Sequence, residues 1–302
     1  MKIYGGGLAG LLAGCLFPDA DIYEAGPDSQ VNHKAVLRFR TSAVGDAVGI
    51  DFRRVRVHKG IWIDDGFVAP TIRLANWYSQ KVIGRLADRS IWNLDPVDRF
   101  IAPENLIEQL ADRCRNRIFW DRHINAADFV PNSGEAAVST LPMQLACQFA
   151  GEINHPTFTS SPITVHRWRV PNADVFQTVY FPQPYTSLYR ASITGDILTA
   201  EYAAAEEGDV EDCQPPLVKA FGLSSCFCQS LDTSSQRYGK IAPIDDAWRK
   251  QFIFNLTHKY NVFSLGRFGT WRNILMDDVL KDIVVLKKMM KATAYDRRKV
   301  SA

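Results

Sequence analysis

Lys2-Ile3-Tyr4-Gly5-Gly6-Gly7-Leu8-Ala9-Gly10 stands at the head of the sequence, and Asp21-Ile22-Tyr23-Glu24-Ala25 follows shortly after it. Met1 to Tyr4 reads as a short strand, Leu11 to Phe17 as a short helix, Pro18-Asp19-Ala20 as a turn, and Asp21 to Ala25 as a second strand ending in an acid. Between strand and helix the glycines satisfy G-x-G-x-x-G. Gly5 permits the tight turn out of the strand, Gly7 lets the backbone approach a pyrophosphate, and Gly10 lets the helix pack against the strand. Leu8 and Ala9, within the motif, are cofactor-binding candidates too, just ahead of a helix N-terminus whose unpaired N–H groups and positive dipole end favour phosphate. Glu24 lies about 20 residues past the first glycine, where a carboxylate accepts hydrogen bonds from ribose hydroxyls. A G-x-G-x-x-G alone is a weak signal. Strand, turn, helix, strand and acid in that order supply the context that marks a dinucleotide site. The acid favours an unphosphorylated ribose and disfavours NADP.

Working outward, the 302 residues suit one large domain or two joined ones, and 46% hydrophobic with 23% charged residues suits a folded chain with a sizeable core. A formal net charge of +2 does not identify a nucleic-acid binder. The stretch from Asn32 to Gly60 is nevertheless locally basic, with Lys34, Arg38, Arg40, Arg53, Arg54, Arg56, His58 and Lys59 against Asp46 and Asp51. It suits either a phosphate-bearing partner or a solvated strand pair that also meets the cofactor's own phosphates. Cys15, Cys114, Cys147, Cys213, Cys226 and Cys228 form no C-x-x-C, and the histidines show no metal-ligand spacing, so reduced cysteines and no metal are expected. Ile3 to Phe17 imitates a signal-peptide core but is glycine-rich and runs into Asp19, Asp21 and Glu24. No stretch approaches 18 uninterrupted apolar residues, so a soluble, cytoplasmic protein without a membrane partner is expected.

A nicotinamide-type domain would continue in regular βα units. After residue 30 the chain instead gives Asn32 to Arg40, a basic and apolar mixture. Later come a strand ending in a small-residue turn, Ala136-Ala137-Val138-Ser139-Thr140-Leu141-Pro142, and a strand with its loop, Asn261 to Arg272. Leu275 to Met290 is then apolar at helical spacing, with Asp277 and Asp278 in its first turn. Together these resemble the flavoproteins that include UDP-galactopyranose mutase, the amine oxidases and protoporphyrinogen oxidase. The resemblance implies an α/β fold: a Rossmann-like FAD-binding domain of the glutathione-reductase type with an inserted, mostly antiparallel β-sheet substrate domain. It implies FAD as cofactor, with Thr140 and Pro142 on the strand that rejoins the sheet. Gly266, Arg267, Trp271, Met276 and Asp277 match the C-terminal motif that brings a helix N-terminus to the flavin pyrimidine. Such a helix end stabilises negative charge on the reduced ring. The resemblance also places an adenine-contacting strand around Ile124. Two departures stand out: the chain is shorter than such proteins, and their paired-glycine-and-arginine segment after the acid is absent, with His33 to Arg40 in its place.

The domain division expected is 1–60, 100–150 and 255–290 for the cofactor domain, 61–99 and 151–254 for the substrate domain, and a flexible tail at 291–302. Pro162 to Arg190 alternates aromatic and polar residues as an antiparallel sheet does, and Val218 to Phe227 is read as helix or loop. Candidate catalytic residues are Lys240, Tyr189 and Arg272. By resemblance to amine oxidases Lys240 would hold a water near flavin N5, with a surface lysine as the plain alternative. Tyr189 and Arg190, at a strand end, suit an anionic substrate or cross-strand packing. Arg38, Arg40 and Arg272 are candidates for touching the flavin or a substrate phosphate. The leading function is FAD-dependent oxidation of a carbon–nitrogen bond in an amine or amino-acid adduct. The compact chain resembles a phage-encoded branch linked to thymine hypermodification, which implies a glycyl-modified thymine in DNA as substrate and an aminomethyl base as product. The nucleobase would have to be flipped out or single-stranded. A flavin-dependent isomerase of a nucleotide sugar and a non-catalytic flavin-binding module are the alternatives.

Overall fold

Gly5 ends the first strand, because its φ of +96° turns the backbone out of the sheet. In the computed structural model, which describes residues 1–28, 37–88, 90–203, 214–223 and 228–300, the chain forms two compact units. The first comprises Met1–Arg53, Phe100–Phe158 and Pro243–Ala302; the second comprises Arg54–Arg99 and Thr159–Ala242. The chain begins with β1 (Lys2–Tyr4), α1 (Leu8–Leu16), β2 (Asp21–Tyr23), β3 (Arg38–Phe39) and α2 (Ala43–Val48). It continues with β4 (Arg53–Ile63), β5 (Gly66–Val68), α3 (Ile72–Ile83) and β6 (Val97–Ile101). Next come α4 (Leu106–Cys114), β7 (Ile118–Phe119), β8 (Ala137–Ser139) and α5 (Met143–Ala150). The second unit then adds β9 (Ser160–Arg169), β10 (Val175–Tyr180), β11 (Leu188–Gly195), β12 (Ile197–Ala203), α6 (Gln214–Phe221) and β13 (Gln229–Ile241). Last are α7 (Asp246–Tyr260), β14 (Val262–Ser264), α8 (Gly266–Gly269) and α9 (Met276–Val300).

The first unit is built on a five-stranded sheet in the order β14-β8-β1-β2-β7, with every pair parallel. Parallel strands are covered on both faces, which is why Lys2-Ile3-Tyr4, Ala137-Val138-Ser139 and Val262-Phe263-Ser264 read as short apolar runs. Ile3, Ile22, Val138 and Phe263 meet Leu11 and Leu12 of α1, Leu106 and Leu110 of α4, and Ile283 of α9 in one core. Each such side chain contributes about 1.5–3 kcal/mol when fully buried. Helix α7 belongs here too, packed beside β14. The sequence reading left 243–254 with the other unit. Asp245 caps the helix by accepting from Trp248 N at 2.6 Å, so the whole of Asp246–Tyr260 is one rigid piece that goes with its strand.

In the second unit the strands run β13-β9-β12-β11-β10-β4-β6. Neighbours from β13 to β10 are antiparallel, and β10 is parallel to β4. Helix α3 lays Leu74, Tyr78 and Val82 on Ile61, Val165, Tyr180 and Tyr189. Helix α6 lays Leu217 and Ala220 among Trp62, Trp168, Val179 and Tyr202. It accounts for the start of Val218 to Phe227; 224–227 lie outside the described residues, as do His33 and Lys34.

Two expectations are corrected. Ile124 is not on a strand: it precedes a short 3-10 turn, Ala126–Asp128, set by Asn125 and Asp128 capping one another. The polar run Asp121-Arg122-His123 offers no alternating apolar face to pair. The stretch from Lys291, expected as a tail, is helical, since α9 runs on to Val300. It contains no glycine or proline to break the helix. Among the described residues no helix is long and apolar enough to cross a membrane.

Candidate functional site

The glycine turn is held from three sides within the first unit. Gly5 N donates to Tyr23 O at 2.9 Å. Thr140 N and Thr140 Oγ1 both donate to Tyr4 O, at 2.8 and 2.9 Å, and the hydroxyl also lies 3.2 Å from Gly5 O. Glu24 accepts from Gly6 N through Oε2 and from Gly26 N, at 2.9 Å, through Oε1. Thr140 and Glu24 therefore fix the turn as well as lying beside it. The closeness of packing is measured by Gly10, where an added Cβ would lie 1.9 Å from Gly5 O. Gly7 differs: it is exposed, and a Cβ there would meet nothing within 4 Å. Gly7 is also the N-cap of α1, with no side chain capping that helix end and no acid in its first turn. The first-turn N–H groups of Leu8 and Ala9 have no intrahelical partner and no competing side-chain cap, beneath open space. That is the geometry an anion requires.

The C-terminal motif closes the same end of the sheet. Leu265 N donates to Ser139 O at 2.9 Å, and Gly266, at φ +82°, brings the chain so near α1 that an added Cβ would sit 3.0 Å from Ala9 Cβ. Gly269, which the sequence reading passed over, is equally tight, with 2.9 Å to Ser139 O. The G-x-x-G spacing of 266 and 269 was the available signal. Pro142 starts α5 just after Thr140. Arg267 sets its guanidinium 5.6 Å from the centre of the Phe268 ring.

Other candidates prove to be tied into the fold. Trp271, 2% exposed and at φ +44°, packs edge-on to Phe158 at 5.0 Å, so its ring faces protein. Asp277 is 5% exposed and accepts from Arg40 N, Thr41 N and Thr41 Oγ1 at 3.0–3.2 Å. It pins the β3–α2 connection to the start of α9, directly after Met276. The Arg40 guanidinium grips Asp278 through two bonds of 3.1 and 3.2 Å, and Arg38 is placed by β3, opposite Ile101. Arg272 is paired with Asp282 on α9 and donates to Thr270 Oγ1 at 3.1 Å, which makes it a brace rather than a free substrate cation. Arg54 and Arg56 share Asp98, so part of the local basic excess is offset by an acid from elsewhere in the chain.

In the second unit Tyr189, Arg190 and Lys240 do come together. Tyr189 is wholly buried, edge-on to Tyr78 at 6.1 Å, with Lys240 Nζ 5.5 Å above its ring. The ring has no exposed surface and packs within the second unit. Burial, and then the Glu201 charge, push its phenol well above the ordinary value. Glu201, unrecognised in the sequence, is the centre of this cluster. Cross-strand register sets Arg190 opposite it, and the guanidinium holds the carboxylate through two bonds. Burial would raise the Glu201 pKa, but the charge and hydrogen bonds of Arg190 outweigh it and hold the carboxyl below the usual range. A depressed carboxylate contributes stability above its unfolded pKa and loses it as pH falls through the folded value. Wild type is thus expected to lose stability on acidification below the normal carboxylate range, and Glu201→Gln to show less of that loss. At neutral pH Glu201→Gln is expected to cost about 2 kcal/mol, less than a fully buried pair because the Arg190 side chain is 37% exposed. Urea unfolding at pH 4 and pH 7 measures both. Equal pH slopes in the two proteins would refute the assignment.

Among the described residues no group of three or more histidine, cysteine, aspartate or glutamate side chains could hold a metal ion.

An all-parallel sheet opened by a glycine turn, drawn from three stretches of chain, with a mostly antiparallel unit between them, defines the Rossmann-like α/β class of dinucleotide-binding folds. Solved structures of flavoproteins and oxidoreductases share it. Reduced UDP-galactopyranose mutase superimposes with a TM-score of 0.59 at 13% identity, over 90% of each chain. An oxidoreductase from Methanosarcina mazei gives 0.56 at 10% identity, over 95% of this chain and all of its own. A candidate FAD-containing monooxygenase from Photorhabdus luminescens subsp. laumondii gives 0.55 at 10% identity, over 97% of this chain and 88% of its own. At such identities the likeness is one of fold. No family profile and no curated protein matches the sequence.

Proposed function

We propose that this chain is an FAD-dependent oxidoreductase that oxidises a carbon–nitrogen bond of an amine or amino-acid adduct. The observation that carries the cofactor reading is the open backbone at Gly7 over an uncapped helix N-terminus, with Glu24 at the end of the adjoining strand. The residues fit the group. The N–H groups of Gly7, Leu8 and Ala9 would hold the pyrophosphate, and the Glu24 oxygens each keep a lone pair for the ribose hydroxyls. The fold likeness to flavoproteins supports FAD over a nicotinamide dinucleotide. When bound, the flavin supplies the acceptor for a hydride from the carbon next to nitrogen. Lys240, beside the buried Tyr189, is the second unit's candidate for ordering a water.

A glycyl-modified thymine in phage DNA fits this chemistry, since oxidation of the glycyl carbon–nitrogen bond followed by hydrolysis of the imine leaves an aminomethyl base. The exposed side of β4, where Arg54 and Arg56 outnumber the one acid, Asp98, that they share and His58 follows at the next alternate position, supports a phosphate contact along DNA. The test begins with the absorption spectrum of the purified protein before and after heat denaturation. Bands at about 375 and 450 nm that pass into the supernatant are expected. Anaerobic titration with glycyl-modified thymine DNA should then bleach the 450 nm band. A protein that stays colourless after incubation with FAD overturns the cofactor. A flavin that ignores the modified DNA and amines, yet retains UDP-galactose, overturns the reaction in favour of an isomerase.

A further inference from the structure

Cys15, in the last half of α1, and Cys114, at the end of α4, come together although 99 positions separate them. Their sulfurs lie 3.7 Å apart, close enough for the two thiols to share a hydrogen bond. Cys114 is 1% exposed, while Cys15 is only partly buried and forms the accessible side of the pair. Arg117 is fastened beside them by Ala20 O at 2.6 Å, Gly14 O at 3.1 Å and Phe17 O at 3.3 Å, which leaves its Nη2 3.6 Å from Cys114 Sγ. A guanidinium anchored by backbone carbonyls cannot swing away when charge appears on the sulfur. We propose that Cys15 and Cys114 form a redox-active dithiol, a modification site whose oxidant is a peroxide and whose product is a disulfide joining α1 to α4.

The two thiols are unequal. The hydrogen bond from Cys15, and then the Arg117 charge, bring the Cys114 thiol down to about 7 against its burial, while the hydrogen bond to Cys114 and burial push Cys15 up. Arg113 and Arg117 are the charged groups facing the pair. Cys114 is therefore the thiolate and Cys15 the resolving thiol. The Cys114 thiolate attacks one peroxide oxygen and breaks the O–O bond. This gives a sulfenic acid, and the released hydroxide takes up a proton to leave as water. Cys15 then loses its proton and attacks the Cys114 sulfur, the S–O bond breaks, and a second water departs. Two thiols and one peroxide thus become one disulfide and two waters. The sulfurs must close from 3.7 Å to roughly 2.05 Å.

Full-length protein treated with hydrogen peroxide and digested without reductant is expected to yield a peptide joining Cys15 to Cys114, two hydrogens lighter than the reduced pair and reversed by dithiothreitol. The initial rate should rise with pH to half-maximum at about 7. In Cys15→Ser protein a dimedone adduct should appear on Cys114 with no cross-link. The disulfide closes a long loop, so oxidised wild type should unfold about 10 °C higher than reduced. The wild-type peptide map decides the matter even if a variant fails to fold. Cys114 left unmodified after peroxide treatment, or driven to sulfonic acid with Cys15 still reduced, overturns the proposal.

Discussion

Replacing Gly10 by alanine is expected to cost about 3 kcal/mol or more and to abolish flavin retention. The new Cβ would lie 1.9 Å from Gly5 O, a backbone atom that no rotamer change can move. Relief would need α1 to rise off the sheet or the turn to open. The turn is held by Gly5 N on Tyr23 O and by the Thr140 bonds to Tyr4 O, and α1 by Leu11 and Leu12 in the core. Gly7→Ala separates stability from binding. Gly7 has φ −66° and ψ 179°, which alanine adopts freely, and open space lies above it. Its stability should stay within about 0.5 kcal/mol of wild type while bound flavin falls, because under the proposed FAD binding the methyl stands in the open space that the pyrophosphate enters. Urea midpoints and flavin-to-protein absorbance ratios test the pair. A Gly10→Ala protein with wild-type midpoint and full flavin would show that the close packing is not obligatory.

Asp277→Ala is the second large effect, at about 3 kcal/mol. The carboxylate is 5% exposed and serves Arg40 N, Thr41 N and Thr41 Oγ1, so its removal strands three donors at once. Asp277→Asn keeps one carbonyl oxygen and should recover roughly half of the loss. Arg40→Ala should cost far less. Its pair with Asp278 is half exposed, and such pairs contribute about 0.2–1 kcal/mol. The ranking distinguishes a structural clamp from a residue that acts on the cofactor alone. If Asp277 only tuned the flavin, Asp277→Ala would unfold at the wild-type urea concentration while shifting the reduction potential.

The glycine turn was legible because its physics is local. A strand, a φ +96° turn, a helix start and an acid lie within the first 24 residues, and the glycines there carry the backbone freedom that the turn needs. The apolar runs of β8 and β14 were legible for a related reason, since strands covered on both faces leave few polar positions. Ile124 misled because resemblance put a strand where Asn125 and Asp128 make a capped turn. The helix beyond Lys291 was not legible because its polar sequence carries no apolar stripe to announce one.

What the sequence by itself determined was the class of fold, the glycine turn at one end of its parallel sheet, and the glycines that allow the close packing there. What only the tertiary structure decided was which charges are already taken. Asp277 meets Arg40 across 237 positions, Arg272 meets Asp282 through the return of α9, Glu201 meets Arg190 through strand register, and Cys15 meets Cys114 between two helices. A glycine's role follows from the conformation of its own few bonds, and neighbouring residues announce it. The role of a charged or nucleophilic side chain depends on the partner beside it, and packing chooses that partner from anywhere in the chain.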